Sequence, residues 1–388
     1  MRNPYIFSLS ASAFVAAASC LAGCGGSSDS AAKGEKALSE GNYADAASFL
    51  ADAVKQNPGD VDAAVRLAEA HFARGENEAA DAAVKDALRL RPDGAGPLLM
   101  DGKVACALRD WKRATASFGK LLDPKSGASR EVRASALNGI AVVVGADGSN
   151  PDKDEAFAAL LHAIYLDPGN PAATYHLAGL VADKFPFEAK DLYSQFVRMP
   201  GADPRHVKIV EDTALPALRR KIKEIEARRS AKTDAAKSME LLKEANALRL
   251  KRKTREAHAK FKKAIALDPS NDDAIAAFID LISRNRKTFP ADNPIETYKT
   301  AVSEWRPSPK LRRKLCIDAS EYAVRNRKEV MAVQFLERLL VSDSSDLDVL
   351  GRMAALEKTR SNGMFRRAAA RYRAMAEEVR KDRSGSGR

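Results

Sequence analysis

Small and apolar residues return along this chain at helical spacing, in the same order, more than once. Gly34, Ala37, Tyr43, Ala46, Leu50 and Ala53 precede Pro58. Ala68, His71, Asn77, Ala80, Val84 and Ala87 hold the matching places before Pro92, and Ala245, Leu248, Thr254, Ala257, Phe261 and Ala264 hold them before Pro269. Steps of three and four residues put each run on one helix face. Gly41-Asn42 and Gly75-Glu76-Asn77 break the runs where a tight turn needs a glycine, so each run predicts two antiparallel helices. The small residues mark where helices touch, and Leu50, Val84 and Phe261 fill the space between hairpins. Proline then stops the second helix, because it lacks an N–H and disfavours helix at the residue before it.

The punctuation has a period. Asn57-Pro58-Gly59-Asp60 recurs 34 residues later as Arg91-Pro92-Asp93-Gly94. Asp123-Pro124, Asp167-Pro168-Gly169-Asn170 and Asp268-Pro269-Ser270-Asn271 repeat it further on. On these residues the chain resembles the tetratricopeptide repeat family, whose unit is a helical hairpin of that length. The resemblance implies an all-α fold, a right-handed α-solenoid of helix-turn-helix repeats. It implies a scaffold that holds other proteins in a groove lined by the first helices of the hairpins.

Hairpins are expected at about 34–57, 61–91, 96–123, 129–167 and 171–199, forming an N-terminal array over 34–200. The fourth carries an enlarged inner loop from Gly145 to Asp154. The fifth is irregular, with Lys184-Phe185-Pro186-Phe187 interrupting it. Over 201–234 the pattern becomes a basic connecting helix, with Leu215, Leu218, Ile222 and Ile225 at three- and four-residue steps between arginines and lysines. A C-terminal array is expected over 235–380, with hairpins near 235–268, 272–306, 309–341 and 346–380, and Leu336, Leu339 and Leu340 as packing residues. Residues 381–388 read as a polar, disordered tail.

The amino terminus carries a different signal. Arg2 is followed by an apolar, small-residue run from Phe7 to Ala22, ending in Leu21-Ala22-Gly23-Cys24. This resembles the lipobox of bacterial lipoprotein precursors, which implies a signal peptide over 1–23 and a diacylglycerol thioether on Cys24. Residues 24–33 read as a flexible tether. Glycine rather than aspartate after Cys24 implies, by the same resemblance, an outer-membrane lipoprotein facing the periplasm, with palmitate among its acyl chains. The remaining cysteines, Cys106 and Cys316, stand far apart and read as small buried residues rather than a disulfide.

Charge is uneven. From Ala31 to Pro200 there are 20 basic and 24 acidic residues, and from Gly201 to Arg388 there are 43 basic and 27 acidic. Residues 205–263 alone hold 19 basic against 8 acidic, densest at Arg249, Lys251, Arg252, Lys253 and Arg255. These five are candidates for an anionic partner: lipid headgroups, a glycan or an acidic protein. Nucleic acid is disfavoured, since no aromatic residues interleave with the basic ones.

No catalytic pattern emerges. His71, His162, His176, His206 and His258 are scattered without metal or triad spacing, and no phosphate loop is present. The chain reads as a non-enzyme without a cofactor. Some tetratricopeptide proteins grip a partner's terminal carboxylate with Lys and Asn on consecutive first helices. Lys243 and Asn246 fit that style in one unit, but Ala276 and Asp280 stand in the next. The function expected is a lipid-anchored scaffold that binds other envelope proteins during assembly of a pilus or secretin, outer-membrane protein insertion, or recruitment of a cell-wall enzyme. The alternative is a binder of anionic lipid or polysaccharide through 205–263.

Overall fold

A computed structural model describes residues 29–146, 153–229, 234–289, 292–356 and 365–385. Among these residues there are helices and turns and no strand. The expected signal peptide, Cys24 and most of the enlarged loop at 145–154 lie outside the described residues.

The helices form two compact units. The first holds five hairpins: α1 (Asp29–Ser39) with α2 (Tyr43–Gln56), α3 (Val61–Ala73) with α4 (Asn77–Leu90), α5 (Ala95–Ala107) with α6 (Trp111–Leu121), α7 (Arg130–Ala146) with α8 (Lys153–Leu166), and α9 (Pro171–Val181) with α10 (Pro186–Phe196). It also takes in the helix that follows, α11 (Pro204–Ile209), and the C-terminal helix α20 (Phe365–Gly385), which packs on α8. The second unit holds α13 (Ala235–Leu250) with α14 (Thr254–Leu267), α15 (Asp272–Arg284) with α16 (Pro294–Ser303), α17 (Pro309–Arg325) with α18 (Glu329–Ser342), and α19 (Leu347–Ala355). The division falls at Leu218/Arg219, inside α12 (Leu215–Arg229).

Two expectations are corrected here. The hairpin near 346–380 does not form within the C-terminal array, because α19 belongs to the second unit and α20 to the first. The tail assigned to 381–388 is helical through Gly385, held by Asp382 on the α7–α8 hairpin.

Five hairpins close by one device. The backbone N–H of Asn42, Glu76, Asp110, Lys253 and Lys328 each reaches the carbonyl five residues back, at 2.8–2.9 Å. The residue before each of them has positive φ: Gly41, Gly75, Arg109, Arg252 and Arg327. This is the left-handed closure of a Schellman motif, which satisfies the last carbonyls of the first helix and reverses the chain. The turn between hairpins is equally regular. The Oδ1 of Asn57, Asp167, Asp268 and Asp343 accepts from the backbone N–H two residues on, and Asp60, Asn170, Asn271 and Asp346 then cap the next helix.

The packing set follows the sequence pattern. Ala46, Leu50, Ala53, Ala80, Val84, Ala87, Ala257, Phe261 and Ala264 are all buried. Leu50, Val84, Phe118, Phe261 and Leu336 each stand seven residues into a second helix and fill the space it leaves. Gly34, Ala68, Gly102, Ala245 and Ser320 stand opposite, nine residues before each second helix, and are buried too. Pro186 does not interrupt the fifth hairpin; it is the first residue of α10, where its missing N–H costs nothing.

The basic helix expected over 201–234 spans 204–229 and contains a π-turn at Val210–Ala214. Its buried residues His206, Val210, Ala214, Leu218 and Ile222 come every fourth position. A regular helix would carry such a stripe steadily around its axis, and the wider π-turn takes up the drift. Ile225 is half-buried.

Candidate partner-binding groove

The first helices of the second and third hairpins, α3 and α5, and the residues leading into α7 enclose a cavity of about 250 Å³ in the first unit. Val65, Leu99, Met100 and Val132 give it an apolar lining, and Asp62, Arg66, Glu69, Lys103 and Glu131 give it charge. Glu69 and Lys103 are both buried. Burial pulls the Lys103 ammonium below its ordinary value, and the Glu69 carboxylate acts against that shift. Arg66 lies 3.5 Å from Glu69 and 3.7 Å from Glu35, so the charged line continues toward α1. An apolar floor with a few fixed charges suits a peptide or helix of a partner better than a small polar substrate.

A second, larger cleft of about 1130 Å³ lies in the same unit, between α6, α7, α8 and α20. Its floor is Leu137, Ile140, Val143 and Val144, and α20 supplies one wall. Three acidic residues hold α20 in place. Glu378 accepts from Arg133 at 2.5 Å and meets His162 Nε2 at 2.9 Å. Asp382 accepts from Arg130 at 2.9 Å and from the Tyr165 hydroxyl at 2.6 Å. From the other side, Arg367 and Arg371 reach the buried Glu155 on α8 at 2.8 and 3.0 Å. Burial raises the Glu378 carboxyl, but His162 and Arg133 outweigh it, so Glu378 titrates below its ordinary range.

The residues singled out in the sequence fall elsewhere. Lys243 is exposed and Asn246 half-buried, one turn apart on α13. Arg249, Lys251, Arg252, Lys253 and Arg255 are exposed around the turn between α13 and α14. Two of them are partly neutralised, Arg249 by Asp280 at 3.4 Å and Lys253 by Glu256 at 3.1 Å. Cys24 lies outside the described residues. Cys106 and Cys316 are free and buried, and burial pushes the Cys106 thiol up to about 12. His71 meets Glu76, His176 meets Asn138 and His258 meets Asp292 as local structural pairs. Among the described residues no group of three or more His, Cys, Asp or Glu could hold a metal ion, and no helix is long and apolar enough to cross a membrane.

The expected groove along the first helices matches the smaller cavity, but neither its lining residues nor the larger cleft stood out in the sequence. The groove residues Arg66, Glu69 and Lys103 are ordinary helix charges in one dimension. Glu378 and its partners are 216 to 245 residues apart.

Comparison with known proteins agrees with the repeat. Residues 37–96 match the model of a tetratricopeptide repeat. No curated protein sequence matches the chain. Among solved structures, one from a functional characterization of PilF of Pseudomonas aeruginosa aligns over 68% of this chain and 96% of that one, at 15% identity and a TM-score of 0.38. The Cut9–Hcn1 hetero-tetramer of the APC/C aligns over 90% and 78%, at 15% identity and a TM-score of 0.32. The tetratricopeptide domain of P58(IPK) aligns over 90% and 97%, at 16% identity and a TM-score of 0.26. None of these likenesses carries an argument about a ligand. Arrays of this repeat hold partner proteins or peptides. Residues 37–96 are thus matched to a tetratricopeptide repeat, and helical hairpins resembling it, five of them with the same closure, run on through both units.

Proposed function

We propose that the chain is a scaffold of the bacterial cell envelope, tethered by lipid on Cys24, that holds a segment of a partner protein in the groove over α3, α5 and the start of α7. The observation that carries the reading is the groove itself, where buried Lys103 and Glu69 stand beside Leu99 and Met100. A partner helix or extended peptide with apolar anchors and a matching charge pair would fill it. The lipid anchor is read from Leu21-Ala22-Gly23-Cys24, and the outer-membrane, periplasm-facing location from the glycine that follows Cys24. Its work there is the assembly of an envelope machine: a pilus or secretin, outer-membrane protein insertion, or cell-wall enzyme recruitment.

The test is crosslinking and co-purification from the native cells, comparing the unsubstituted chain with Arg66→Glu and Val132→Asp at the groove. Loss of a stoichiometric partner in both variants, with unchanged unfolding midpoints, is the expected result. Retention of every partner by both variants refutes the groove. Radiolabelled palmitate should enter the unsubstituted chain but not Cys24→Ala, and equal labelling refutes the anchor.

A further inference from the structure

In the second unit, the turns inside the hairpins lie side by side along one edge. Arg249, at the end of α13, is 3.4 Å from Asp280 on α15. Arg286, just past α15, donates to the Tyr322 hydroxyl at 3.2 Å and to Asn326 Oδ1 at 3.4 Å, at the end of α17. The three turns read Arg249-Leu250-Lys251-Arg252-Lys253-Thr254-Arg255, Arg284-Asn285-Arg286-Lys287 and Arg325-Asn326-Arg327-Lys328. They hold eleven basic residues and no acidic one, and all eleven are exposed. The second and third turns are the same tetrapeptide, and Asn285 and Asn326 each donate Nδ2 to the carbonyl four residues back, although only the third has the positive-φ closure, at Arg327.

The opposite edge of the unit has the opposite charge. There Arg306 N–H donates to the Pro269 carbonyl and Ser308 N–H to Asp272, which aligns the turns between hairpins. Residues 268–273, 304–308 and 343–348 hold seven acidic residues and one basic. That edge is the more acidic of the two, although Arg313 pairs with Asp346 and Asp348 there at 2.8 and 3.3 Å.

Helix stability does not call for this arrangement. Cations suit the last turn of a helix, which accounts for Arg249, Arg284 and Arg325. It does not account for Lys253 and Lys328, the N-caps of α14 and α18, where positive charge is unfavourable and neither side chain makes a capping hydrogen bond. The same position in the first three hairpins holds Asn42, Glu76 and Asp110. Nearby acids neutralise only part of the edge. Lys251, Arg252, Arg255, Lys287, Arg327 and Lys328 form no ion pair among the described residues. Two large apolar side chains stand out beside them: Leu250 is 81% exposed and Val330 58% exposed.

We infer that this edge seats on an anionic phospholipid surface, its cations against headgroup phosphates and Leu250 and Val330 dipping among the headgroups. A soluble polyanion would use the cations alone. Exposed apolar residues among clustered cations are what an interfacial contact uses, since affinity there adds apolar burial to charge attraction. The surface differs from the linear 205–263 segment. It drops the basic face of α12 and gains Arg286, Lys287, Arg327 and Lys328 from later hairpins. It is independent of the groove in the first unit.

The experiment places a reporter at the contact. The full chain carrying Leu250→Trp is reconstituted with vesicles of phosphatidylglycerol and phosphatidylcholine containing bromine-labelled acyl chains, which quench a tryptophan that enters the bilayer. Quenching should exceed that of the unsubstituted chain about twofold and should fall when salt rises from about 0.1 to about 0.5 M. It should disappear in pure phosphatidylcholine, and when Arg252→Glu, Arg286→Glu and Arg327→Glu are combined, one in each turn. Val330→Trp is the second reporter and should behave alike. Quenching no greater than in the unsubstituted chain at both positions overturns the proposal. So does quenching that ignores lipid charge or survives the triple reversal. Polyphosphate binding that is lost in the triple reversal, with no quenching at either reporter, overturns it in favour of a soluble polyanion.

Discussion

The ring of Phe118 occupies the space that a side chain on Gly102 would need, and Gly139 clears the space on its other side. A Cβ on either glycine would fall inside the ring's contact distance. Alanine normally stabilises a helix interior by about 1 kcal/mol over glycine. Here the overpacking cost of about 1–3 kcal/mol exceeds it, because Phe118 is walled on both sides and cannot yield. Gly102→Ala is expected to destabilise the chain by about 1–2 kcal/mol in urea unfolding. Gly119, one residue after Phe118 and exposed, has nothing near its missing Cβ. Gly119→Ala is expected to stabilise by about 1 kcal/mol. Equal effects of one sign at both sites would refute the account.

Arg109, Arg252 and Arg327 hold a backbone conformation that other hairpins give to Gly41 and Gly75. A non-glycine residue there costs on the order of 1 kcal/mol. Replacing Arg252 or Arg327 by glycine is expected to raise stability by about 0.5–1 kcal/mol, after subtracting glycine's greater freedom in the unfolded chain. Arg252→Ala, which keeps the strain, should give no such gain. The measurement is the shift in thermal or urea midpoint for each variant.

The caps make a companion case. Lys253 and Lys328 begin α14 and α18 without a capping hydrogen bond, whereas Asp110 caps α6 by accepting from the Arg113 N–H at 3.0 Å. Lys253→Asp and Lys328→Asp are each expected to stabilise by about 1 kcal/mol, from the new cap and the favourable end of the helix dipole. The same two substitutions should weaken the seat on anionic vesicles. Stability and membrane contact moving in opposite directions is the informative outcome.

How much of this was legible in one dimension depends on the separation over which the information acts. The hairpin closures and packing positions are local, so Gly41, Leu50 and Pro58 announce them. The third hairpin is harder to align, because Pro124 follows Phe118 by six residues where Pro58 follows Leu50 by eight. The turn at Asp343-Ser344-Ser345-Asp346 has no proline, yet its Asp343 makes the same contact as Asn57, Asp167 and Asp268. The polar residue, more than the proline, carries that turn. The seat of α20 could not be read at all. Its partners are charged helix residues such as Arg133 and Glu378, which look solvated until the fold brings them together across 245 residues.

That seat makes the C-terminal helix responsive to acid. Burial raises the Glu378 carboxyl, but contacts with His162 and Arg133 together lower it by more, so the folded value lies below the ordinary 4.5. Asp382 is likewise lowered from 3.8, chiefly by the Tyr165 hydroxyl and then by Arg130. A carboxyl with a depressed folded value contributes stability that is complete above its unfolded value and is lost as pH falls through the folded one. The hold on α20 should therefore be constant from neutral pH down to about 4.5 and loosen progressively below it. Hydrogen-exchange protection factors over 365–385, corrected for intrinsic rates, measure this directly. Glu378→Gln removes the charge with little change of shape, and should lower protection of α20 about tenfold at neutral pH, the low end for charge-assisted hydrogen bonds at a partly exposed site. It should also flatten the acid response. Protection of α20 that stays level from neutral pH to below 4, or a Glu378→Gln chain as protected as the original, would show that apolar contacts of Phe365, Tyr372 and Met375 hold the helix and the polar contacts only decorate it.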